Sequence, residues 1–290
     1  MTTAALPARR PGFRAAARIF LEHRLAVGGA VLLLLFVAFC FLGPLVYHTE
    51  QVATNLAGAD LPPGPGHPLG TDDVGYDELG RLMAGGRTSL EIGVAAALLA
   101  TVFGTLWGAI AGYVGGFADA VMMRIVDTFL AIPTLFFLLI LAAIFTPTVS
   151  LLIVVVSFGA WLSPARLVRG ETLSLRTREY VQAVRMMGGG GRRAVLRHVL
   201  PNAVGTIVVN ATFQVADAIL LVASLSYLGL GIAPPHADWG NMLAGGADAV
   251  QNGYWWLILP PGFAIMLVVV AFNLLGDALR DALEVRLRRR

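Results

Sequence analysis

Lysine is absent from this 290-residue chain, and all 21 of its basic side chains are arginine. That removes a P-loop lysine for a nucleotide phosphate and a Schiff-base lysine for a carbonyl or pyridoxal phosphate. Cysteine is nearly absent. Cys40 stands alone, so no internal disulfide forms and no cysteine pair holds zinc. Set among Leu and Phe, it reads as apolar filler. Charge is scarce too, at 13% of residues against roughly 25% in an ordinary soluble domain. The motifs H-E-x-x-H, G-x-S-x-G and G-x-x-x-x-G-K-[ST] are missing, so no catalytic residue and no metal ligand is expected. A hydrophobic content of 57% excludes disordered, nucleic-acid-binding and plain cytosolic classes, and points to a bilayer as the solvent.

What the chain has is long apolar runs, at 26–47, 92–114, 125–147, 148–165, 203–231 and 254–276. Each is close to the ~20 residues that cross ~30 Å of hydrocarbon as a helix. Backbone groups in lipid must be satisfied internally, and runs this continuous are not barrel strands. The fold class expected is therefore an all-α membrane protein with six transmembrane helices. The first run carries thirteen Val, Leu or Phe. At ~0.3–0.6 kcal/mol each, they favour insertion by roughly 4–8 kcal/mol. Thr146-Pro147-Thr148 is the only break expected between the third and fourth runs, read as a tight helical hairpin.

Arginine placement orients the spans. Nineteen fall in segments 1–25, 115–124, 166–202 and beyond 277, whereas the alternate segments hold only Arg81 and Arg87. The positive-inside rule then puts both termini in the cytoplasm. The basic stretch before the first run lacks a small-residue cleavage site, so that run reads as an uncleaved span. Residues 13–25 have the mixture of an interfacial helix, and residues 1–10 read equally as a disordered basic tail. The organisation expected is a basic N-terminus (1–25), a first span with an outer loop (26–87), a core (88–281) and a basic tail (282–290).

The long arginine-rich loop carries the informative pattern. Tyr180, Val184 and Met187 share one helical face, as do Val195 and Val199 beyond the glycines 188–191, with Pro201 ending that second segment. Two short helices flanking a glycine hinge are expected. Their apolar face either packs on the span ends or enters a groove on a partner protein. The glycine run lacks the lysine and hydroxyl of a phosphate cradle and reads as a helix break. Gly104, Gly108 and Gly112 line one face of the second span for close helix approach. Asn210, Gln214 and Asp217 share a face of the fifth span. That face looks into a translocation cavity or a partner, or else makes interhelical hydrogen bonds. Asp127 is expected to pair with an arginine such as Arg124, and Glu91 to remain solvated. The acidic outer loop (Asp60, Asp72, Asp73, Asp77 and Glu78) reads as a solvated face, with reception of a partner as the alternative.

Segment 179–202 resembles the E-A-A-x3-G-x9-I-x-L-P loop of bacterial ABC importer permeases, with Ala183, Gly188, Leu200 and Pro201 on that spacing. Gln182, Val184 and His198 depart from it. Arg197-His198-Val199-Leu200-Pro201-Asn202, His67-Pro68-Leu69-Gly70-Thr71-Asp72, Leu225 to Gly231 with Pro234, Pro235, Trp239 and Gly240, and Asn273 to Asp281 are similar to the subgroup carrying peptides or nickel. These strings cover nearly all of residues 67–281 in order. Gly75-Tyr76-Asp77 stands where the subgroup often has Gly-Arg-Asp, and Val222 where it often has Glu.

The resemblance implies a type I importer permease, the second of a homologous pair, forming half of the pathway. It implies two ATPase subunits that bind ATP and magnesium, so that this chain holds no cofactor, and an extracytoplasmic binding protein that delivers cargo. The loop becomes a coupling helix docking on an ATPase, through Glu179, Tyr180, Gln182, Ala183, Val184, Arg185, Met187, Gly188, Arg197, His198, Leu200 and Pro201. Di- or oligopeptides are the expected cargo, with nickel or another small solute as the alternative. A proton-coupled transporter using Asp127 and Asp217 is the competing class. It predicts internal repeats, and none is evident.

Overall fold

The computed structural model describes residues 24–188 and 190–288. The expectations for residues 1–23, Gly189 and the last two arginines lie outside them. Among the described residues the regular structure is helical. The helices are α1 (Arg24–Val46), α2 (Glu78–Val114), α3 (Gly116–Leu130), α4 (Thr134–Ile144), α5 (Val149–Ala160), α6 (Leu162–Leu175), α7 (Glu179–Met186), α8 (Gly191–Ala194), α9 (Leu200–Leu225), α10 (Trp239–Ala249) and α11 (Leu259–Arg288). Among the described residues, four continuous helical stretches are long and apolar enough to cross a membrane, and two bent pairs bring the number to as many as six.

The third and fourth spans are not the straight helices expected. α3 and α4 meet at 84°, and α5 and α6 at 44°. Proline supplies the physical reason in both. Pro133 stands at the start of α4, where a ring and a missing N–H interrupt the helical ladder. Pro164 lies one turn inside α6 and cannot donate to the Ala160 carbonyl four residues earlier. The break at 146–148 is present as expected, and the Thr148 hydroxyl caps α5 by accepting from the Leu151 N–H at 3.2 Å.

Pro201 does not end a short helix. The chain stays helical from Gly191 to Leu225, passing through a π turn at Val195–Val199. Pro201 has no N–H for the Arg197 carbonyl, and the ladder widens at this point, with the Leu200 N–H reaching the Val195 carbonyl. The Asn202 side chain takes up the His198 carbonyl at 2.5 Å. The second half of the expected hinge is thus the first turn of the fifth span's own helix.

α2 is the central column. At its N-terminal end Asp77 accepts from the Gly80 N–H at 2.8 Å as N-cap, and Gly115 at φ 71° ends it. Its glycine face lies against α6. A Cβ at Gly104, Gly108 or Gly112 would fall on the backbone of Trp161, Ala165 or Arg169, so these three positions set how closely the two helices approach. α9 packs on α2 and α11, and α11 on α1. Near the N-terminal end of α2, fully buried Trp239 fills the space beside Gly86 and Phe36, and donates through its indole N–H to the Leu82 carbonyl at 3.0 Å. Many large apolar side chains elsewhere on α1 and α2 face outward, the surface a bilayer accepts.

Candidate functional site

α7 projects from the ends of α6 and α8. Val181 is its buried anchor, facing inward with Ala194 of α8. Outward, Met186 is 90% and Met187 79% exposed, Tyr180 is partly exposed, and Val184 is half-buried. The exposed apolar residues therefore continue past the Tyr180–Val184–Met187 line to Met186. Gly188 closes the helix at φ 78° with open space around its Cα, so a side chain there meets backbone strain rather than a clash. Tyr180 faces His198 across the glycine turn at 6.5 Å between ring centres. Gln182 donates to the Thr177 carbonyl, while Glu179, Ala183 and Arg197 stand at the surface, Arg185 lies within α7, and Leu200 and Pro201 open α9.

α6, which leads into this projection, is fixed to its neighbouring helices by charged and polar clamps. Arg169 grips Asp119 with two hydrogen bonds, at 2.5 and 2.7 Å. Arg166 pairs with Asp127 at 2.5 Å. Asp127 therefore does not pair with Arg124; the sharp turn between α3 and α4 lays α3 on α6, which brings Arg166 to it. Arg176 caps the end of α2 by donating to the Gly112 carbonyl at 2.9 Å. Thr206 of α9 donates to Glu171 of α6 at 2.9 Å. Reading the sequence run by run missed these clamps. The i, i+3 placement of Arg166 and Arg169 was a signal for them, but their partners lie about 40 and 50 residues away.

The polar face of α9 divides. Gln214 is 5% exposed, and its amide donates to the Ala160 carbonyl at the α5–α6 bend. Asn210, one turn earlier, keeps a buried Oδ1 with no partner among the described residues. Asp217 is exposed on the side of the helix. Glu91 accepts from Arg87 at 2.9 Å, and both are largely exposed.

The acidic loop between α1 and α2 is less solvated than its acidity suggests. Asp77 is buried, capping α2 while its other oxygen accepts from Tyr47 at 2.9 Å and meets His67 at 3.1 Å. Burial, then the neighbouring Asp77, pushes the Tyr47 phenol up to about 12. Asp72 holds the Tyr76 N–H at 2.8 Å and Arg81 at 3.3 Å; burial raises its carboxyl above the usual range despite those partners. Glu78 is buried as well. Asp72 and Asp77 close turns, which draws them inward, whereas Asp73 stays exposed.

Two family models match the sequence. One, described as binding-protein-dependent transport system inner membrane component, covers residues 104–289. The other, the N-terminal TM domain of oligopeptide transport permease C, covers residues 13–63. The chain belongs to the binding-protein-dependent transport inner membrane components. It is an inner-membrane permease subunit of an ABC importer.

Similar proteins match this permease nearly end to end. The oligopeptide transport system permease protein OppC of Bacillus subtilis (strain 168) is 39% identical over 270 residues, covering 93% of this chain and 88% of the relative. OppC of Escherichia coli (strain K12) is 40% identical over 271 residues, 93% and 89% of the two chains. The dipeptide transport system permease protein DppC of B. subtilis is 38% identical over 268 residues, 92% and 84%.

The permease's signature strings prove to be packing devices. In 67–72, Gly70 sits at φ 79° against Trp256, and the Thr71 hydroxyl donates to the Gly58 carbonyl at 2.6 Å. Gly231 and Gly240 let the 225–240 segment fold on itself beside Ser226 and Ala223. Gly276 admits the Phe213 ring between α11 and α9. The departures are absorbed locally. Tyr76 lies under the Arg81 guanidinium at 4.6 Å, and Val222 is buried in the core, where a glutamate would need a partner.

Proposed function

We propose that this permease is one of two homologous six-span subunits of a type I importer, with both termini in the cytoplasm, and that it carries di- or oligopeptides. The names of its relatives support the peptide cargo. The arginine count supports the orientation, because nineteen of 21 arginines fall on the α7 side. An extracytoplasmic binding protein delivers the cargo, and two ATPase subunits hydrolyse ATP below.

The observation that carries the coupling role is the exposure of Met186 and Met187 beside Tyr180, on and just after a short helix that follows the clamped α6. Apolar side chains on the water-facing end of a membrane bundle gain by entering a groove on another protein. α7, with the following turn to Pro201, is that docking element. Movement of the ATPases displaces it and, through α6 and α9, changes which side of the membrane the pathway faces. Asn210 and Asp217 border that pathway or the second permease. An exposed carboxylate halfway along a span needs polar surroundings, which lipid does not supply.

The test uses the complete complex in vesicles with its binding protein. Tyr180→Arg, Met187→Arg and Gly188→Val are expected to insert normally yet to lower ATP-driven peptide uptake at least about tenfold, since each removes apolar contact or strains the cap. Normal uptake and normal cargo-stimulated ATP hydrolysis in all three variants would remove the coupling role.

A further inference from the structure

The α5–α6 bend leaves one backbone acceptor without a helical donor. Ala160 would receive the N–H of residue 164, and residue 164 is proline. Gln214 supplies the replacement from another helix, through its side-chain amide at 2.5 Å. The amide lies in an almost fully enclosed position, so water does not compete for that carbonyl.

The bond ties α9 to the last residue of α5, at the bend into α6, and α6 and α9 are the two helices that carry the α7 projection. α6 leads into α7 through residues 176–178, and α9 grows out of the helical stretch that begins at Gly191. They run antiparallel, clamped nearer the projection by Thr206 and Glu171 at 2.9 Å. A displacement of α7 that slides α6 along α9 is therefore opposed first by that surface clamp and then by the buried bond at the bend. A helix with a missing internal hydrogen bond is weakest at that point.

We propose that Gln214 is a positioning residue for transport: it holds the hinge between α5 and α6, so that sliding of α6 against α9 becomes a change of the bend. In this account Gln214 touches no cargo. The proposal rests on the importer reading above.

The experiment separates a mechanical role from a merely structural one. Gln214→Leu leaves the Ala160 carbonyl without a donor. Pro164→Ala returns an N–H to residue 164 and gives that carbonyl a donor within its own helix. The complete complex is assayed for melting temperature, ATP hydrolysis and ATP-driven peptide uptake. Gln214→Leu is expected to lower both melting temperature and uptake. Adding Pro164→Ala is expected to restore the melting temperature while uptake stays down by roughly tenfold, because the hinge has been straightened. Pro164→Ala alone is expected to show the same loss of uptake in a stable complex, which keeps the test decisive should Gln214→Leu fail to fold. Recovery of uptake in the double variant, or wild-type uptake in Pro164→Ala, overturns the proposal. A wild-type complex that imports nothing with ATP overturns the importer reading, and the hinge with it.

Discussion

Two ion pairs join α3 to α6, and their surroundings make them unequal. Asp119 is mostly enclosed and accepts both arms of the Arg169 guanidinium. Arg169→Ala would strand that carboxylate in a site with little water, at a cost of about 3 kcal/mol. Arg169→Lys keeps the charge but loses the two-armed geometry. Asp127 and Arg166 are each about half exposed, at 50% and 54%, so water and salt already weaken their attraction. Asp127→Ala should therefore cost only about 0.5 kcal/mol. Scanning fluorimetry of the solubilised complex should show a large melting shift for Arg169→Ala and a small one for Asp127→Ala. Equal shifts would mean that burial does not distinguish the pairs.

Contact between α2 and α6 depends on atoms that are missing from one face. A Cβ at Gly108 would land on the Ala165 carbonyl, which is backbone and cannot rotate away. Gly108→Val should push the two columns apart and cost about 1–3 kcal/mol. Gly28 in α1 has nothing within 4 Å, so Gly28→Val there should change melting little. If the Gly108 and Gly28 variants insert and melt alike, the close approach of α2 and α6 is not what holds the core. The glycine spacing was legible in the sequence because a four-residue period marks one helix face without knowledge of the partner. The bends at Pro133 and Pro164 were not read from it. A hydropathy window sums side-chain transfer energies, and a missing backbone donor adds nothing to that sum.

The whole molecule can be tested for orientation with its own composition. Cys40 is the only cysteine and is buried, so a Cys40→Ala background gives a clean start. Asp73 in the outer loop and Arg192 near α7 are both exposed. In spheroplasts, Asp73→Cys should react with a membrane-impermeant maleimide from outside, and Arg192→Cys only after permeabilisation. The reverse pattern would invert the topology and place α7 where no ATPase can reach it.

Six apolar runs, the uneven placement of arginine between their ends and the glycine face of α2 were set by the sequence, because transfer energy, charge placement and helical period are read from neighbours along the chain. Tertiary structure alone decided which carbonyl Gln214 serves, that Asp127 meets Arg166 rather than Arg124, and that acidic loop residues such as Asp77 turn inward. The first two are contacts between residues 54 and 39 positions apart and the third is a turn closed on itself, chosen by how bent helices and folded loops satisfy their buried polar groups.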